Sequence, residues 1–121
     1  MKTQEAEFIV HLQRWLMDLP QAESCQIFAN PAEAAILSVD MTNAFCREGN
    51  LASPRVAAII PPIVQLFKTA WEHDIRHMVL LQDCHTPEAK EFGAFASHAI
   101  CGTSEAEAVD EIKALPFFKQ M

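Results

Sequence analysis

The chain has 121 residues, half of them hydrophobic and 21% charged, with a formal net charge of -7. That length suits a single domain, and the composition is that of a folding globular sequence rather than a disordered one. The acidic balance excludes a nucleic-acid binder, which needs a basic face to displace counterions from phosphates, and argues against docking on anionic lipid.

The first element is an amphipathic helix over about Thr3 to Leu19. Phe8, Leu12, Trp15, Leu16 and Leu19 recur at steps of three and four, with Gln, Glu and Arg between them. Thr3 is the expected N-cap and Pro20 the stop. The stripe suits an ordinary packing helix, or one that covers a partner subunit. The N-terminus, Met-Lys-Thr-Gln-Glu-Ala-Glu, carries acids and no apolar h-region, so it does not read as a secretory signal. No apolar run approaches the roughly 20 residues of a membrane span. The expected location is the cytoplasm. Residues 20–33, with two prolines and several small polar residues, read as a loop.

Ala35 to Val39 is unbroken apolar sequence apart from one serine, and Asp40 follows it. That pattern predicts a strand buried on both faces, with its first charge at the carboxyl end. Ligands bind beyond such ends in open parallel α/β sheets. Residues 41–52 read as a loop on the same side. Ser53-Pro54 predicts an N-cap followed by a proline at the first helical position. A helix restarts at Pro61-Pro62, with Ile63, Leu66, Phe67, Ala70 and Trp71 on one face. His73-Asp74 ends it. Met78 to Leu81 then repeats the buried-strand pattern and leads to Asp83. A right-handed β-α-β unit sets the two strands parallel, with Asp40 and Asp83 on one rim.

After Asp83 comes a loop of roughly 20 residues, a length uncommon in compact domains unless it is functional. Ser104 to Glu107 resembles a capping box that opens a short acidic helix reaching about Ile112. Leu115 to Phe118 leads towards a third strand but runs out. Two strands are too few for a stable doubly wound core. The expectation is therefore an α/β domain, incomplete at its C-terminus, that is completed by a missing segment or by a homo-oligomer.

Asp83 and His85 are two apart on an extended segment, so they point the same way. With His98 they offer one carboxylate and two imidazoles, a set that suits Zn²⁺, Fe²⁺ or Mn²⁺ with positions left open. A loop histidine is more often a solvated residue, but here Asp83 and His85 stand at a strand's carboxyl end with His98 in the same long loop. His11, His73 and His77 fit no such pattern and read as surface residues. Asp40, desolvated at a strand end, suits a general base, or a hydrogen-bonded structural role. Cys25, Cys46, Cys84 and Cys101 form no Cys-x-x-Cys pair and read as free thiols used for packing. Cys84 alternates with Asp83 and His85, and so faces away from them.

Val39-Asp40-Met41-Thr42-Asn43-Ala44-Phe45 resembles the Val-Asp-Met-Gln-Asn-Asp-Phe opening of the isochorismatase-like superfamily. Asp83-Cys84-His85, then Glu91-Phe92, Phe95, His98 and Gly102-Thr103, is similar to the Asp-x-His … Glu-Phe … His-Cys-x-x-Gly-Thr segment of its nicotinamidase-like branch. The resemblance covers about residues 34–113. It implies a Rossmann-like α/β/α fold and a cysteine hydrolase that cleaves a small-molecule amide with a Cys-Asp-Lys triad. Asp40 matches the aspartate that takes the cysteine's proton. Asp83, His85 and His98 match the divalent-metal ligands, and Phe45 matches an aromatic beside the substrate pocket. Thr42, Ala44 and Ala99 depart from the pattern. The family's cysteine and lysine lie downstream of the residues present, and Lys119, with no strand before it, is not assigned. The chain thus reads as the N-terminal part of one hydrolase domain, with residues 1–33 a helix and loop and residues 34–121 a β-α-β core with a metal loop. The reading from a different class is a non-catalytic metal-binding or assembly module.

Overall fold

The structure, a computed structural model, describes residues 2–27 and 29–121, with the side chains of residues 2–5, 24 and 27 outside the description. Helix α1 spans Lys2–Met17. The expected cap Thr3 already lies inside helical backbone. Helix α1 ends three residues before Pro20, consistent with a proline's inability to continue a helix. Its apolar stripe stays in solvent, with Phe8, Trp15 and Leu16 each more than half exposed. The segment expected as a loop holds a short helix, α2 (Ser24–Ile27), and a 3₁₀ turn at Pro31–Glu33.

Strand β1 (Ala35–Val39) and strand β2 (His77–Leu81) pair in parallel, Ala35 opposite His77 and Val39 opposite Leu81. Between them run α3 (Asn43–Cys46), α4 (Pro54–Ala57) and α5 (Ile60–Glu72). Ser53 caps α4 as its sequence predicts, its hydroxyl accepting from the Arg55 amide at 3.3 Å. Helix α5 carries its prolines in the first turn, where the missing N–H groups cost nothing. The loop expected over residues 41–52 instead contains α3, whose Ala44 and Cys46 are buried.

The core lies on one face of this small sheet. Met78 of β2 packs with Phe67 and Ala70 of α5 and with Ile75, Val109, Ile112, Leu115 and Phe117. Helix α6 (Asp110–Lys113) is held there by backbone bonds that cross the rim. The Val109 amide donates to Met41 O at 3.1 Å, and the Asn43 amide to Glu107 O at 3.0 Å. The capping box does not form. Ser104–Ala106 is a 3₁₀ turn, separate from α6. The C-terminal residues form no strand either. Leu115 and Phe117 are buried, Phe117 stacks on Trp71 at 4.4 Å, and Phe118–Gln120 closes as a 3₁₀ turn.

The expectation that both strand faces are buried is overturned. Leu37, Val39, Val79 and Leu81 are 60%, 52%, 48% and 56% exposed. Side chains alternate across a sheet, and among the described residues the α5 side alone is covered. Fully burying one such side chain stabilises by about 1.5–3 kcal/mol. Four half-exposed ones forgo several kcal/mol against a total of roughly 5–15 kcal/mol for a domain.

This asymmetry sets the expected mutational response. Phe67→Ala, at a site with no exposure, is expected to cost about 3–5 kcal/mol. Leu37→Ser is expected to fall within about 0.5 kcal/mol of the parent. Urea midpoints at unchanged m-value measure both. Equal losses at the two sites would mean that the sheet face is covered in solution.

Candidate active site

The two strand ends are joined to each other. The Asp40 amide donates to Leu81 O at 2.9 Å, extending the parallel ladder by one step. Asp40 then turns into the left-handed region, φ 56°, where a non-glycine residue is uncommon and aspartate is enriched. That turn leaves its Oδ1 accepting the Asp83 amide at 3.1 Å. The carboxylate beyond β1 is thereby anchored to the segment leaving β2.

Asp83 and His85 project together, as their spacing predicts. His85 Nε2 lies 3.4 Å from Asp83 Oδ2, and His98 Nε2 lies 3.9 Å from the same oxygen. One ligand atom from each residue falls within 4.8 Å of the others. His98 is buried and the other two are partly buried. The sequence contains five histidines, and His11, His73 and His77 are exposed and apart from this group.

The tautomers follow from the outer partners. His98 Nδ1 meets Ala96 O at 2.9 Å, and a carbonyl only accepts, so Nδ1 carries the proton. Glu91 Oε1 sits 2.6 Å from His85 Nδ1, and an anionic oxygen at that distance holds the ring proton on that nitrogen. Both Nε2 lone pairs then face a carboxylate oxygen. His85 Nε2 is buried without a hydrogen-bond partner. Two lone pairs and an anion converging without a donor call for a cation, either a metal ion or an added proton. The donor set therefore fits a divalent ion held by three protein atoms with further positions open.

Aromatic edges wall the group. Phe45 lies 5.7 Å from the His98 ring, and Phe92 lies 5.6 Å from both imidazoles, all edge-on. Ala99, next to His98, is fully buried with φ 45°. It is held there from both sides: its amide donates to Glu105 Oε2 at 2.9 Å, and its carbonyl accepts the His85 amide at 2.9 Å. Gly49 (φ 89°) lets the Glu105 carboxylate come close, since a Cβ at that position would stand 2.5 Å from Oε1.

The expectation of four free thiols is corrected. Cys84 and Cys101 form a disulfide, because the parallel bridge between His85 and Ile100 brings their Cα atoms to 4.8 Å. Cys25 is free and exposed, and Cys46 is free and buried. Burial pushes the Cys46 thiol above its ordinary value, Arg47 opposes that shift, and Glu111 adds to it. Among the described residues no cysteine sulfur is hydrogen-bonded to a base. Sequence reasoning assigned no role to Glu91 or Glu105. Both lie in the long loop or just after it, and only the folded chain shows what they touch.

No protein-family model and no curated protein sequence matches this chain. Solved structures do. One is the N-carbamoylsarcosine amidase of Thermoplasma acidophilum, 28% identical with a TM-score of 0.57, the match covering 64% of this chain and 43% of that one. Another is an isochorismatase-like hydrolase from Alkaliphilus metalliredigens, 32% identical with a TM-score of 0.57, covering 64% and 44%. Both likenesses support the isochorismatase-like superfamily over part of this chain. It spans less than half the length of either neighbour. The isochorismatase-like hydrolase fold, expected from the two motifs, is thus present as a parallel α/β unit.

The raised Cys46 pKa carries a test. Thiolate is the reactive form, so Cys46 should resist iodoacetamide at pH 7 to 8 and react only as pH rises past the ordinary thiol range. Exposed Cys25 should react first. Peptide mass analysis after timed alkylation reads both sites, and equal labelling at neutral pH would contradict the burial described.

Proposed function

We propose that this chain supplies the base and the metal-binding part of a cytoplasmic hydrolase that cleaves a small amide. The observation that carries the proposal is the Asp40–Asp83 bond, which sets a carboxylate beside a three-donor cation group on one rim. The amidase among the structural neighbours supports an amide as the substrate class. A nicotinamide-like ring suits the aromatic edges of Phe45 and Phe92.

In this reading Asp40 accepts the proton of a cysteine thiol, and the thiolate adds to the amide carbonyl. The C–N bond breaks, the proton passes to the departing nitrogen, and ammonia leaves. Water then hydrolyses the thioester and returns the proton to sulfur. Asp83, His85 and His98 would hold a divalent ion (Zn²⁺, Fe²⁺ or Mn²⁺), which when bound supplies Lewis acidity at this rim. Glu91 and the Ala96 carbonyl keep both Nε2 atoms unprotonated for that purpose. The described cysteines do not suit the nucleophile's part: two are joined, one is buried, and Cys25 has no orienting partner. Lys113 is engaged by Glu107 and Asp110 at 2.8 and 2.9 Å. The proposal therefore assigns the thiol and its lysine to a further segment. That segment, or a second copy of the chain, would also cover Leu37, Val39, Val79 and Leu81.

The lack of a suitable thiol among the described residues favours a second reading, a non-catalytic metal-binding or assembly module. Ammonia release separates the two. The 121-residue chain alone is expected to release none from nicotinamide-like amides. A form extended by a segment bearing lysine and cysteine is expected to be active and to lose about 10²- to 10⁴-fold on Asp40→Asn. An inactive extended form that still binds metal would favour the module. Turnover by the short chain, blocked by alkylation, would show that a described cysteine is the nucleophile.

Metal binding is tested separately. The chain is expected to retain one divalent ion, His85→Ala to abolish binding, and Glu91→Gln to weaken it about 10- to 100-fold. Elemental analysis and calorimetric titration measure this. A chain that takes up no ion would leave a shared proton as the cation of the site.

A further inference from the structure

The Cys84–Cys101 disulfide has no part in the hydrolysis proposed above, yet it brackets the group proposed to bind metal. Cys84 lies between Asp83 and His85, and Cys101 follows His98 by three residues. The bond closes a loop of sequence separation 17 that contains both histidines. Successive side chains on an extended segment point to opposite sides, so the Cys84 sulfur stands away from the Asp83 and His85 side chains. The disulfide therefore leaves the ligand positions open and acts through the backbone.

Otherwise local turns and a few longer bonds, among them Ala99 to Glu105, order that backbone. The enclosed segment has one short 3₁₀ turn, Lys90–Gly93, and its Phe95, Ala96 and Ser97 are exposed. The His85 amide donates to Ala99 O, and the Cys101 amide donates to His85 O, each at 2.9 Å. Asn50 Nδ2 donates to Ser97 O at 2.8 Å. The Asn50–Ser97 bond is exposed, and exposed bonds open readily. A covalent clasp across the loop's base removes much of the freedom that opening would otherwise gain. Both cysteines are exposed and so accessible to small thiols.

We propose that Cys84–Cys101 is a reversible clasp, through which thiol–disulfide exchange controls how well the Asp83–His85–His98 group is ordered. The exchange partner is a low-molecular-weight monothiol and its disulfide. In opening, one thiolate attacks a cysteine sulfur, the S–S bond breaks, and the other cysteine leaves as thiolate. A second thiolate resolves the mixed disulfide. Two electrons reduce the protein disulfide, each cysteine sulfur takes a proton, and the small thiols leave joined as their disulfide. Closing is the reverse. The functional consequence rests on the metal reading above, while the ordering of the loop does not.

The test compares the oxidised chain with the chain reduced by a phosphine that is then removed. Hydrogen exchange over residues 86–100 reads loop order in metal-free protein. Calorimetric titration with Mn²⁺ reads the site, and Mn²⁺ is chosen because a hard cation neglects the freed thiols. Reduction is expected to speed exchange within the loop and to weaken Mn²⁺ binding on the order of tenfold, a fraction of what closing a loop of this length restricts. The double variant Cys84→Ser with Cys101→Ser should match the reduced chain and ignore redox conditions. Faster exchange with no Mn²⁺ uptake in either state would support the clasp and remove the metal reading. Equal exchange and equal affinity in both states would overturn the clasp. So would a mass spectrum showing no disulfide after equilibration with glutathione disulfide.

Discussion

The parallel pairing of β1 with β2 is the constraint on which the rest of this molecule depends. Parallel strands need a crossover connection, and α3 to α5 provide it. The connection sets both strands to end on the same side, so Asp40 and Asp83 meet there. The ladder does not stop at Val39. It continues through the Asp40 amide and then passes to the Asp40 side chain, which takes the Asp83 amide. A one-residue slip in register would turn every core side chain to the solvent face. It would also part these two aspartates.

The site is a problem in electrostatics that the chain solves only in part. Nδ1 of each imidazole faces an acceptor, a carboxylate for His85 and a carbonyl for His98. Those contacts direct the lone pairs of both Nε2 atoms towards Asp83. Ala99 bears a conformational cost for this arrangement, because a left-handed residue next to His98 is unfavourable by roughly 1–3 kcal/mol. Its bonds to Glu105 and to the His85 amide hold it in place. The two Nε2 atoms and Asp83 Oδ2 thus converge as a donor set that suits a cation.

The two faces of the sheet are unlike. The α5 side carries a packed core from Ile60 to Phe117, with the Trp71–Phe117 stack at its margin. The opposite side carries four half-exposed aliphatic residues. The apolar stripe of α1 is likewise exposed. A parallel sheet with one bare face is uncommon, because crossover helices usually cover both. The isochorismatase-like neighbours are more than twice as long as the matched segment.

The sequence by itself determined the β-α-β unit, the Ser53 cap, the proline start of α5 and the convergence of Asp83 with His85. Each of these depends on short-range rules: apolar runs, cap chemistry and the two-residue period of a strand. The two motifs around Asp40 and Asp83 carried the likeness to isochorismatase-like hydrolases as well. Tertiary structure decided what depends on residues distant in the chain. Glu91 reaches His85, and Glu105 reaches Ala99 past Gly49, by contacts that no spacing rule encodes. Cys84 meets Cys101 because a single bridge at His85 and Ile100 aligns two irregular segments. The bare sheet face was illegible for the same reason. An apolar run reads alike whether or not a neighbour covers it, and only the folded arrangement shows which side of Leu37 and Val79 is left in water.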